Sequence, residues 1–422
     1  MKWFKKIIFL LFFLGSGVAL QAQKELNYGL VEQKTLQYYL LQQWDSLNRI
    51  GNRALRAGID SYALRYRLGE AAFKQRKYWK SIRHFEKALT FNTHDPYSQE
   101  FLFYSYLYNG RPADAWLCSK PFGRLFYQYH QLNPRQLLEY INLEGGLKNS
   151  NIVEIKPLGY GSVGMSHRPG LRWRYYHSIS YLQQRFLANQ IEQYEYFGSL
   201  HLQAAKGIGI YLSGHYLNGG IDRTVPDMDT GPFARLHTQI EQKGWVGAAG
   251  LEFSAGRWTI SPFLGGSHAP VHTRTTRTIG NGPGNMMSTV LIDSTGILPT
   301  WQGGVDLLFR LHPAIRIGVQ PNVLVQNDSI RYFFGAQLQW LPAGRWSFGV
   351  HYLHEPLTDY FEAGGAVFDN GISIMRQRLR GQAGWQVSKH LYLYGMYQWE
   401  NREFEGRPFF YHTFITGINF IL

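Results

Sequence analysis

From about Pro134 to the C-terminus, apolar and polar residues alternate with a period of two and glycine recurs. In "WQGGVDLLFRL" the apolar row is Trp301, Val305, Leu307, Phe309 and Leu311, set against Gln302, Asp306 and Arg310. In "IRIGVQPNVLVQ" Ile315, Ile317, Val319, Pro321, Val323 and Val325 oppose Arg316, Gln320, Asn322 and Gln326. "IRYFFGAQLQW" repeats the pattern, and so does "YHTFITGINFIL", which ends the chain with Phe414, Ile418, Phe420 and Leu422 on one row. Strands of about ten residues with one apolar face, one polar face and aromatics near their ends predict a transmembrane β-barrel. A soluble β-sandwich alternates in the same way. The connections favour the barrel: tight hairpins such as "HRPGLRW", "AAKGIGI", "SAGRWTI", "LHPAIRI", "PAGRWSF" and "VSKHLYL" alternate with longer links around 218–235, 270–298 and 356–371. Short turns on one side and long loops on the other is how outer-membrane barrels are built.

If every tight turn lies on one side, strands fall near 136–148, 158–167, 171–187, 191–205, 207–217, 236–254, 257–269, 299–311, 314–327, 329–341, 344–355, 372–387, 390–401 and 409–422. The count is fourteen, or twelve if the weakly alternating first pair is dropped.

Upstream, from about Asn27 to Gln128, the pattern is helical and poor in glycine. "RLGEAAFKQRKYWKSIRHFEKAL" carries Leu68, Gly69, Ala72, Ser81, Phe85 and Ala88, with Ala115 placed 34 residues after Ser81. Small residues at such spacing let paired helices approach, while an aromatic fills the gap between hairpins. The segment resembles the tetratricopeptide (TPR) repeat family over roughly 100 residues, which implies an all-α scaffold for binding protein or polymer. Residues 1–22, with Lys2, Lys5 and Lys6 before an apolar run of about 14 residues, read as a secretory signal peptide. The expected division is 1–22 signal, 23–133 periplasmic TPR-like domain and 134–422 barrel. That order is similar to outer-membrane proteins in which a periplasmic TPR segment precedes a barrel, such as YaiO-type barrels and exopolysaccharide exporters.

With apolar rows facing lipid, the polar rows face the lumen: Glu252, Asp306, Arg310, Arg316, Arg331 and the ladder Arg376, Arg378 and Arg380. Each arginine on the lipid side would cost about 2–4 kcal/mol at mid-depth, so the ladder is placed inward. Two readings of it stay open. Guanidinium groups pair with carboxylate and phosphate, so the ladder could line a path for an anionic solute or polymer. Alternatively, arginines and acidic residues cross-link the lumen and close it.

Catalytic chemistry has little footing. A two-residue turn at Pro169 and Gly170 would set Ser162 opposite His177, a possible nucleophile and base for a lipid hydrolase, yet no third group orients the base. His351 and His354, like His268 and His272, lack partnered Cys or paired carboxylates, and "GNGPGN" near 280–285 has no Lys and Ser/Thr helix start. The expectation is a protein without enzymatic activity, cofactor or metal.

Composition then adjusts the picture. The 422 residues hold 45% hydrophobic residues, one cysteine (Cys118) and a formal charge of +14, which excludes disorder and a disulfide scaffold. Residues 23–135 carry 17 basic and 9 acidic side chains, whereas 136–422 carry 23 and 20, so the excess sits in the helical segment. A basic segment in the periplasm makes nucleic acid improbable. Acidic envelope proteins, outer-membrane lipid or an anionic polymer are the expected partners. The leading functional expectation is a barrel in the outer membrane of a Gram-negative bacterium, anchoring a periplasmic docking domain for envelope assembly. The alternative is a pore for export or import of an anionic polymer or solute.

Overall fold

The computed structural model describes residues 26–228, 234–280, 286–297, 299–326, 329–342, 344–358, 360–362, 367–369 and 373–422. The expected signal peptide and most of "GNGPGN" lie outside the described residues. Two compact units emerge, divided between Ser105 and Tyr106.

In the first unit, helices Tyr28–Leu40, Trp44–Arg56, Tyr62–Lys74 and Tyr78–Phe91 follow one another, and helix Pro96–Tyr108 straddles the division. Local signals start several of them. The Asn27 side chain accepts a hydrogen bond from Leu30 N at 2.8 Å, Ser61 accepts from Leu64 N at 3.3 Å, and Asp95 accepts from Ser98 N at 2.8 Å. Val31, Leu47, Ala54, Leu64, Leu68 and Ala71 form the apolar core. Gly69 is needed where it stands, because a Cβ there would lie 2.9 Å from the Phe85 ring. Ser81 Oγ donates to Gly69 O at 3.0 Å, which closes the same helix pair.

This is a short helical segment, and the extensive TPR domain expected from the spacing is corrected accordingly. Leu68, Gly69, Ala72, Ser81, Phe85 and Ala88 do gather in one helix pair, Tyr62–Lys74 and Tyr78–Phe91. Ala115, which set the period, sits in a seven-residue helix, Pro112–Cys118, that belongs to the second unit.

The second unit is built on strands, in chain order β1 (Gln136–Ser150), β2 (Leu158–Arg168), β3 (Trp173–Phe186), β4 (Asn189–Ala205), β5 (Ile208–Pro226), β6 (Arg235–Ala255), β7 (Trp258–His268), β8 (Pro270–Gly280), β9 (Met286–Ile297), β10 (Thr300–His312), β11 (Ile315–Gln326), β12 (Ser329–Trp340), β13 (Trp346–Leu357), β14 (Tyr360–Glu362), β15 (Val367–Asp369), β16 (Ile374–Ser388), β17 (Leu391–Phe404) and β18 (Arg407–Ile421). β1 to β7, β10 to β13 and β16 to β18 pair antiparallel in succession, and β18 returns to β1 with Ile421 opposite Tyr140. The ring is a closed barrel of fourteen strands, as the spacing of the tight turns predicts. β8 and β9 form a hairpin that pairs with the loop end of β6, and β14 pairs with β15 as a separate small hairpin.

The polarity of the wall is inverted relative to a soluble protein. On β11 the outward side chains Ile317, Val319, Val323 and Val325 are 36–49% exposed, whereas Gln320, Asn322 and Gln326 are 8–9% exposed on the inside. A sandwich buries the apolar row; only a barrel in lipid turns it outward. From Ile315 to Val325 the outward row runs ten steps, about 33 Å along the strand, or about 25 Å at the usual tilt, which matches the apolar band of such barrels. At the short-turn end, exposed tryptophans follow exposed arginines in Arg172-Trp173, Arg257-Trp258 and Arg345-Trp346. Trp346 stacks on Trp385 with centroids 5.5 Å apart, forming part of an interfacial belt. Among the described residues no helix is long and apolar enough to cross a membrane.

Candidate functional site: the lumen

The polar rows converge inside the barrel, where they meet a loop. The chain leaving β13 turns back, and its β14–β15 hairpin contacts the wall from β5 round to β17. Phe361 packs on Leu217, Val246 and Phe263. Its main chain is held on both sides by Gln302 of β10, which accepts from Phe361 N at 2.7 Å and donates to Phe361 O at 3.0 Å. Tyr360 is fully buried among Leu324, Phe333, Leu353, Leu357 and Met375.

Ion pairs fix the other side of the hairpin. Arg378 pairs with Glu362 and Asp369 of the hairpin and with Glu400 of β17, whose Oε1 lies 2.5 Å from Nη2. Arg380 Nη2 lies 3.0 Å from Glu362, and Arg402 Nη2 lies 2.6 Å from Asp369. Lys148 of β1 reaches Glu400 at 2.5 Å and stands over the Tyr411 ring at 4.3 Å. Four cations thus face three carboxylates, and Arg378, Arg402 and Glu400 are almost wholly buried. In a low-dielectric interior such a network holds its geometry firmly, because losing one member strands its partners' charge. Arg378 and Arg380 are therefore engaged in cross-links. Arg376 is exposed beside a strand irregularity and pairs with Glu403.

At the short-turn end a second segment is tied to the barrel. The segment from Tyr108 to Trp116 runs along this rim from β10 to β2. Arg310 donates to Tyr108 O at 2.9 Å and also to Asn109 O. Asp114, 3% exposed, accepts from Gln203 Nε2 at 2.9 Å and Gly207 N at 2.8 Å, and pairs with Arg111 at 2.6 Å. The Arg168 guanidinium lies 3.8 Å from the centre of the Trp116 ring. Arg316 is half-buried and its Nε has no partner among the described residues.

Between hairpin and rim lies a cavity of about 240 Å³ lined by Asp306, Gln320, Gln337, Gln339, His351, Glu362, Arg380 and Gln382. The wall is locally irregular there. The β10–β11 ladder omits Val305 and Asp306, opposite Pro321, which has no N–H to give. Of the other candidates, Glu252 is half-buried and lies 3.4 Å from Ser254 Oγ. Arg331, also half-buried, stands opposite Leu324 near the long loops.

The hydrolase geometry is not formed. Ser162 pairs with Ser180 and alternates with lipid-exposed Val163, whereas His177 pairs with Met165 and its Nε2 lies 3.1 Å from that of His167. Nucleophile and base therefore stand on different faces of the sheet. Among the described residues no group of three or more His, Cys, Asp or Glu side chains could hold a metal. Sequence reasoning did not find Lys148, Glu362, Asp369, Glu400 or Arg402. The alternation of β17 puts Glu400 and Arg402 on one row, a usable signal, but nothing local marks the loop carboxylates.

No family model matches the chain, and no curated protein is significantly similar to it. Among solved structures it is similar to the CymD monoaromatic hydrocarbon channel at 9% identity, over 70% of this chain and 92% of that one, with a TM-score of 0.48. The toluene transporter TbuX of Ralstonia pickettii matches at 9% identity over 69% and 90%, with a TM-score of 0.45. The translocator domain of the autotransporter NalP from Neisseria meningitidis matches at 8% identity over 69% and 90%, with a TM-score of 0.40.

Proposed function

We propose that the protein is a gated solute channel of the outer membrane, closed at rest by the β14–β15 hairpin. The supporting observation is the polar cavity on the lumen side of the wall, lying between a hairpin tied by ion pairs and a rim crossed by the Tyr108–Trp116 segment. A barrel serving only as an anchor needs no such interior. The hairpin leaves β13 and returns to β16, so it can swing out without breaking the barrel ladder. The docking role expected from the sequence loses its basis, because a short helical segment stands where an extensive repeat scaffold was expected. Recordings in planar bilayers test the reading: neutralising the hairpin carboxylates should convert a quiet barrel into a conducting one.

A further inference from the structure

The cavity wall has a regular construction. On four adjacent strands, glycine and glutamine face each other across the ladder: Gly318 opposite Gln337, Gly335 opposite Gln320, and Gly349 opposite Gln382. A Cβ on Gly318 would lie 2.7 Å from Gln337 Cγ. One on Gly335 would lie 2.9 Å from Gln320 Oε1, and one on Gly349 would lie 2.9 Å from Gln382 Nε2. Each glutamine is therefore laid over a glycine, flat against the wall, where its amide is held in place. The result is a floor of fixed amides, each able to donate and accept.

Two polar atoms at this floor lack partners among the described residues: Asp306 Oδ1 and His351 Nδ1. His351 Nε2 is already engaged with Gln320 Oε1 at 3.1 Å. Among the described residues lining the cavity, the guanidinium of Arg380 is committed to Glu362 and to Gln398 Oε1, the latter at 2.9 Å. Asp306 is thus a carboxylate with an unfilled acceptor, Oδ1, and no ion pair among the described residues, in a cavity rich in amides.

We infer that this cavity is a binding site for an uncharged, hydroxyl-rich solute of monosaccharide size. The inference rests on the channel reading and names the substrate class for it. An anion would meet the Asp306 carboxylate, while the Arg380 guanidinium is already committed to Glu362 and Gln398. An apolar solute would strip water from the amides, Asp306 and His351 and return no hydrogen bonds. A polyol satisfies all of them: hydroxyls donate to Asp306, and amides both give and take. At about 240 Å³ the cavity is smaller than the roughly 300–1,000 Å³ usual for drug-sized ligands, which suits a solute of monosaccharide size.

The test is equilibrium dialysis of the full chain in detergent against radiolabelled D-glucose, D-galactose and D-mannose, with citrate, choline and toluene as competitors. Saturable binding of at least one hexose is expected. It should weaken about tenfold in Asp306→Asn and in Gln320→Leu, the loss expected for one charge-assisted or buried hydrogen bond. Circular dichroism should report an intact barrel in both variants. Failure of all three hexoses to bind the folded wild type overturns the inference, as does displacement by citrate, choline or toluene. Currents without hexose binding would leave the channel reading standing alone, whereas hexose binding to a barrel that never conducts would sink only the channel reading.

Discussion

Single substitutions on β11 separate the two faces of the wall. Val319 is 49% exposed and faces lipid. Val319→Arg should lower stability by about 2–4 kcal/mol in a denaturant titration of the barrel refolded into lipid vesicles. An unchanged midpoint would contradict the assignment of faces. A different residue reports on the helical unit. Burial first, and then the charges of Arg65, Arg83 and Lys80, pull the His84 imidazole from 6.5 down to about 4, and Arg65 Nη1 lies 3.4 Å from its Nδ1. The unfolded chain takes up that proton near 6.5 while the folded chain resists until about 4. Stability is therefore full above pH 6.5 and drains away between 6.5 and 4, by about 2–3 kcal/mol. Helical unfolding of the full chain followed by circular dichroism should show this loss, and His84→Gln should abolish it. At this scale the sequence is informative wherever a residue's role follows from its own strand. Gln320 and Val319 declare their faces by alternation alone, whereas two of the three carboxylates paired with Arg378, Glu362 and Asp369, come from a loop that must first fold inward.

At the scale of elements, the fourteen barrel strands are legible because each tight turn and each alternating row is a local signal; the observed ends lie close to the expected ones except in β5, which runs on to Pro226 where a link was expected from 218. Three elements are not legible. The link expected over 270–298 is instead the β8–β9 hairpin, paired with the end of β6. The β14–β15 hairpin has too few residues to alternate, and its position depends on Gln302 and Arg378, far away in sequence. The helix Pro112–Cys118 imitates a repeat unit in spacing, yet its buried Asp114 binds the β4–β5 turn and so assigns it to the barrel unit. Asp114→Ala would leave Gly207 N–H without its acceptor and Arg111 without its carboxylate, with Gln203 Nε2 kept only by Ala205 O, at a cost of about 2–4 kcal/mol. Limited proteolysis should then cut the Tyr108–Trp116 segment much faster while the barrel strands stay protected. Equal protection in both proteins would show that Asp114 does not hold the segment.

For the molecule as a whole, the account turns on whether the closed lumen is a resting state or a permanent one. Glu362 and Asp369 carry the hairpin's half of the charge network, and both are buried, so bulk salt screens them little. With both neutralised, the apolar contacts of Tyr360 and Phe361 and the two Gln302 hydrogen bonds to the Phe361 main chain would have to hold the hairpin against four cations left with Glu400. The direct measurement is single-channel recording in planar bilayers of the wild type and of the double variant Glu362→Gln with Asp369→Asn, at low and at molar salt. The account predicts rare, brief openings of the wild type at both salt concentrations and sustained currents in the double variant. Silence in both proteins, or equal sustained currents in both, would contradict it.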